Sequence, residues 1–130
     1  MIVVDTSVWI PFFHGVTTPE VGLLRALPRL RDVIVGDLVA MEVLQGARSD
    51  EIARTIQLEF EQFELRVIGG YETAVRAADN YRFLRGIGLT VRSGIDLMIA
   101  TYCIERDHEL LHRDHDFDHF EKHLGLKIVH

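Results

Sequence analysis

Short runs of β-branched and aliphatic residues recur along this chain, and the stretches between them carry helical periodicity. The runs are Ile2-Val3-Val4, Val33-Ile34-Val35, Leu65-Arg66-Val67-Ile68, Glu109 to His112 and Leu126 to Val129. Each is too short for a helix and too apolar for a surface loop, which makes it a buried strand. Thr17-Thr18-Pro19-Glu20 opens a helix, with Thr as cap and Pro in the first turn, that runs to about Leu30. Further helices are expected over Leu38 to Ala47, Ser49 to about Phe63, Tyr71 to about Arg85, Ser93 to about Arg106 and Phe117 to Leu124. Short strands that alternate with helices pair in parallel, because each crossover returns the chain to the same end of the sheet. The expected fold is therefore a single α/β domain over residues 1–130: a mostly parallel sheet of four to five strands, flanked by helices on both faces.

Composition narrows the class. A chain of 130 residues, 48% hydrophobic, buries enough surface for a core without disulfides or a structural zinc. Cys103 is the lone cysteine, and no secretory segment or long apolar run is visible, so a reduced, cytoplasmic location away from membranes is expected. The net charge of −6 argues against a domain that coats nucleic acid by overall positive charge. Of the 14 basic residues, however, 12 are Arg, whose forks suit phosphate.

The acids carry the chemistry. Asp5 directly follows the first strand, and Asp114 and Asp116 follow the strand Glu109 to His112. In a parallel sheet, ligands collect beyond those carboxyl ends, although Asp is also a common turn former. Glu42 and Asp96 are the only ionisable residues in the apolar stretches Leu38 to Leu44 and Ile95 to Ala100. An ionised carboxylate there is costly unless a cation or several hydrogen bonds meet it. The structural alternatives are an ion pair of Glu42 with Arg48 and a capping box of Ser93 with Asp96. Taken together, the acids converge on one crevice, where they repel each other unless counter-charge is present. Hard oxygen ligands without Cys select Mg²⁺ or Mn²⁺. One or two such ions are suited to phosphodiester hydrolysis.

The motifs Asp5-Thr6-Ser7-Val8-Trp9-Ile10, Glu42-Val43-Leu44-Gln45-Gly46, Asp96-Leu97-Met98-Ile99-Ala100 and Leu111-His112-Arg113-Asp114-His115-Asp116-Phe117 stand in order along the chain. In this they resemble the PIN-domain ribonucleases, and among them the VapC-like toxins of bacterial and archaeal toxin–antitoxin pairs. The resemblance covers essentially the whole chain. It implies a Mg²⁺- or Mn²⁺-dependent endoribonuclease, usually dimeric, that a cognate antitoxin holds inactive. It also implies metal-binding roles for Asp5, Glu42, Asp96 and Asp114, with Asp116 as a nearby fifth acid, and supporting hydroxyls from Thr6 and Ser7. His112 departs from the Thr or Ser of many relatives. A cleft of this charge is a natural receptor for an antitoxin Arg. Between the two late acids, Asp114 is assigned to metal and Asp116 to capping the helix after Phe117 and to the outer shell.

Rival chemistry finds less support. His115, His119 and His123 stand four apart, with His112 nearby, a spacing that suits zinc or nickel but also an ordinary solvated helix face. HD phosphohydrolases need upstream His and Asp ligands, and only His14 precedes His108. A haloacid-dehalogenase-type phosphatase wants a second Asp where Ser7 stands, and a receiver domain wants paired acids and a late Lys. A metal-dependent phosphohydrolase of another class and a non-catalytic PIN-fold binding module remain the alternatives. Arg85 and Arg92, in the segment leading to Asp96, and Arg113 are candidate contacts to RNA. Trp9 is expected in the core, and Cys103 is expected to be a buried structural thiol.

Overall fold

The computed structural model describes residues 1–130 and contains five strands: β1 (Ile2–Val4), β2 (Val33–Gly36), β3 (Glu64–Arg66), β4 (Glu109–Leu111) and β5 (Lys127–Ile128). All neighbouring pairs are parallel, in the order β3-β2-β1-β4-β5. The seven helices are α1 (Thr6–Phe13), α2 (Pro19–Ala26), α3 (Asp37–Gln45), α4 (Asp50–Phe60), α5 (Tyr71–Gly86), α6 (Gly94–Arg106) and α7 (Asp118–Leu124). None is long and apolar enough to cross a membrane. After β1 the chain turns to β2 on one side, whereas β4 joins β1 on the other. The strand order therefore reverses between β1 and β4, and the crevice beyond their carboxyl ends is the natural ligand site.

Local chemistry sets most helix limits. Thr18 caps α2 by accepting from Val21 N–H at 3.0 Å, and Ser49 caps α4 by accepting from Ile52 N–H at 3.1 Å. The second helix stops at Ala26 instead of running to Leu30. Pro28 forces Leu27 out of helical geometry (ψ 131°), and a short 3₁₀ turn over Leu30–Asp32 follows. Helix α7 ends at Gly125, whose φ of +76° suits a residue without a Cβ.

The first helix, α1, has no counterpart among the expected elements. Its residues Val8, Trp9, Ile10, Phe12 and Phe13 favour strands, and Pro11 lies inside it. Tertiary burial decides: Trp9 is fully enclosed, with Phe12, Phe13, Phe60 and Phe63 at ring separations of 5.1–5.7 Å. The indole N–H donates to the Val4 carbonyl at 3.2 Å, so this large residue is both packed and satisfied. Trp9 belongs to one continuous core of 25 buried residues that includes β1, β2 and β4. Cys103 lies in the same core, and burial pushes its thiol up to about 12, which makes it chemically inert.

Candidate active site

Two acids close adjacent strands, and the fold spends them differently. Asp37 follows β2, and its Oδ1 accepts from the N–H groups of Ile68 (2.6 Å) and Gly69 (3.3 Å), which pins the connection from β3 to α5. Asp5 follows β1, and its own N–H donates to the Leu111 carbonyl at 3.0 Å, which holds it beside the segment leaving β4. Its Oδ2 accepts from both the backbone N–H (3.0 Å) and the hydroxyl (2.6 Å) of Ser7, and it caps α1. Asp5 is only 4% exposed. Burial raises its carboxyl above the ordinary range, against the opposing pull of the Ser7 bonds.

Helix α3 brings Glu42 to the same place. Its Oε1 accepts from the Thr6 hydroxyl at 2.7 Å, across 36 residues of sequence. Arg48 makes no ion pair with it, so the simple end-of-helix reading of Glu42 fails. Helix α6 brings Asp96 in its first turn. Ser93 Oγ accepts from Asp96 N–H at 3.2 Å, as a cap should, but the Asp96 carboxylate does not bond back. That half-formed box leaves the carboxylate free to face the crevice.

Beyond β4, Asp114 and Asp116 complete the group. The carboxylate oxygens of Asp96, Asp114 and Asp116 lie within 4.8 Å of one another. Here the structure corrects the division of labour expected between the two late acids. Asp114 is the cap, its Oδ1 accepting from Asp116 N–H at 2.9 Å to start a 3₁₀ turn over His115–Phe117. Asp116 caps nothing, and α7 has no side-chain cap. The reason is geometric: the turn begins two residues earlier than expected, so the acid at its start is Asp114.

Charge ties the five acids together. The Asp96 carboxyl is pushed up to about 7, first by burial and then by the negative charges of Asp5, Asp114, Glu42 and Asp116. No Lys or Arg forms an ion pair with any of the five. All-oxygen donors at this spacing, half-buried and without a protein counter-charge, fit a hard divalent cation.

His112 borders the cluster as a neutral ring. Its Nδ1 accepts from Asp114 N–H at 3.0 Å, and burial lowers its basicity, so it shapes the loop and does not add charge. The more distant histidines do not assemble into a metal site. His115 pairs with Asp118 at 3.1 Å, and the single group of potential ligands is the Asp96, Asp114 and Asp116 set.

Among the basic candidates, Arg85 lies at the end of α5 with its guanidinium 5.6 Å from the Tyr81 ring centre. Arg92 is exposed in the loop entering α6, and no acid pairs with it. Arg113 turns to Glu20, 3.4 Å away on α2. Glu20 carries no signal in the sequence, since Pro19-Glu20 looks like an ordinary first helical turn. A separate apolar groove of about 780 Å³, walled by Ile10, Phe13, Val43, Ile52 and Ile56, opens between α1 and the α3–α4 pair.

Comparison with known proteins identifies the family and the fold. The family described as PIN domain matches residues 2–123. Ribonuclease VapC11 of Mycobacterium tuberculosis is 32% identical over 132 residues, covering 99% of this chain and 98% of that protein. Among solved structures, VapBC2 from Rickettsia felis, bound to a DNA fragment from its promoter, superposes with a TM-score of 0.79. Identity there is 16%, over 99% of this chain and 98% of that one. Mycobacterium tuberculosis VapC20, a toxin that cleaves the sarcin–ricin loop, superposes with a TM-score of 0.66 at 19% identity, over 91% and 93% of the two chains.

Proposed function

The chain belongs to the PIN domain family, and on that premise we propose that it is a Mg²⁺- or Mn²⁺-dependent endoribonuclease toxin, silenced by a cognate antitoxin. The observation that carries this reading is the convergence of five carboxylates from four separate segments, with Asp96 held near pH 7 and no protein cation to balance them. Such an arrangement is unstable in its own right, which is the mark of a site shaped for a ligand.

In this reading Asp5, Glu42, Asp96 and Asp114 would hold one or two ions, with Asp116 at the edge. When bound, such ions would supply charge neutralisation and the Lewis acidity that favours attack of water on phosphorus. The chain supplies the rest. Ser7 fixes Asp5 with two hydrogen bonds and leaves its second oxygen free, while Thr6 aims Glu42. Asp114, locked by its own capping bond, offers a carboxylate whose rotamer is set before substrate arrives. Arg85, Arg92 and Arg113 contact the phosphate backbone of the RNA.

The antitoxin places an Arg among the acids, where a guanidinium meets several unpaired carboxylates. In the same reading the chain pairs as a homodimer. RNA cleavage by antitoxin-free protein tests the reading. Cleavage should stop in EDTA and return with Mg²⁺ or Mn²⁺, and restoration by Zn²⁺ alone would overturn it.

A further inference from the structure

Arg113 is the Arg or Lys nearest to the acids in sequence, since Asp114 is the next residue. Its backbone N–H is fixed to Ser7 Oγ at 3.0 Å, and Ser7 in turn holds Asp5. The main chain at Arg113 is thus anchored at the rim of the cleft, and only the χ rotamers of its long side chain remain variable. Five carboxylates are the strongest attractor available to a guanidinium there. Yet the Arg113 side chain points to Glu20 instead, with Nε 3.4 Å from Oε1.

This pair is not built like a stabilising ion pair. It makes a single long contact where Arg and a carboxylate can form a two-pronged fork, and Glu20 Oε2 accepts no hydrogen bond from the chain. A single contact between side chains that stay 42% and 24% exposed adds little stability, so stability does not explain the arrangement. Both residues line a polar pocket of about 540 Å³ that continues past His112 and Asp114.

We propose that Glu20 is a positioning residue, which holds the Arg113 guanidinium out of the acidic cleft so that it does not occupy the divalent-cation site. Arg113 is then available at the cleft rim for a phosphate of the RNA strand. Without Glu20, the chain's own Arg would fall among the acids and compete with the metal. This inference rests on the metal-site reading above.

The test is Mn²⁺ binding to metal-free protein by titration calorimetry, for the wild type, Glu20→Ala, Arg113→Ala and the double variant, with melting temperatures to establish folding. Glu20→Ala should weaken Mn²⁺ by about tenfold, the scale of one charge pair of roughly 1.4 kcal/mol. Arg113→Ala should change wild-type affinity by about twofold or less, but restore the Glu20→Ala chain almost fully. If Arg113→Ala has the same effect in both backgrounds, the two charges act only through their separate fields and the inference is overturned. Glu20→Gln, which keeps the side chain's bulk, replaces Glu20→Ala should the latter fail to fold. Wild-type uptake that Asp96→Asn abolishes upholds the metal site independently. A wild type that takes up no Mn²⁺ removes both the site and the inference.

Discussion

The Thr6 hydroxyl donates to Glu42 Oε1 at 2.7 Å and thereby joins the first turn of α1 to the middle of α3. The bond fixes the one acid of the cluster that comes from a long, flexible side chain. Thr6→Val should cost about 1 kcal/mol of stability, the worth of a partly buried hydrogen bond. It should also lower the cleavage rate by about tenfold, because Glu42 regains rotamer freedom. Thr6→Ser should recover most of the rate, and a valine variant as active as wild type would exclude this role.

The raised Asp96 carboxyl makes metal-free stability depend on pH. Its folded value, about 7, lies above the ordinary value of 3.8, so the folded state holds this proton more tightly than the unfolded state does. The stabilising contribution is therefore complete below about pH 4 and is lost as pH rises through 7. Melting temperatures in EDTA should fall for wild type between pH 5 and pH 8, and less so for Asp96→Asn. At pH 8 the Asn variant should melt at or above wild type, while cleaving no RNA. Divalent cation should reverse the wild-type loss, and bind more tightly as the proton leaves.

Asp114 and Asp116 differ in what their loss removes. Asp114 is both a member of the acid triad and the cap of the 3₁₀ turn, whereas Asp116 is exposed and caps nothing. Asp114→Ala should cost about 1 kcal/mol of stability in addition to most of the activity, and Asp114→Asn should keep the cap while losing the activity. Asp116→Asn should leave the melting temperature unchanged and cost less cleavage than Asp114→Asn. Equal losses of activity would make Asp116 a full ligand.

Antitoxin binding should depend on the same charges. In the triple variant Asp5→Asn, Asp96→Asn, Asp114→Asn, an inserted Arg would meet amides in place of carboxylates, and affinity should fall by tenfold or more, about 1.4 kcal/mol. Surface plasmon resonance with the cognate antitoxin measures this. Unchanged affinity would place the antitoxin's grip elsewhere.

Much of this protein is legible in its sequence. The β-branched runs Ile2-Val3-Val4 and Val33-Ile34-Val35 are strands by local chemistry alone, and the helix starts at Thr18, Ser49 and Ser93 follow from side-chain caps that act over three residues. Glu42 and Asp96 stand out as charges without a solvent face. What stays hidden depends on contacts between distant segments. Helix α1 forms from residues that favour strands because Trp9 is enclosed by Phe60 and Phe63, far along the chain. Asp5 and Asp37 look equivalent in sequence, each following a strand. Only the fold gives Asp37 two backbone N–H groups to bind and leaves Asp5 an unused oxygen in a buried crevice. The turn that makes Asp114 the cap, and the pull of Glu20 on Arg113, are equally invisible along the chain. Local propensity acts over a few residues and can be read in order. Desolvation and Coulomb forces act through space, and chain folding alone sets those distances.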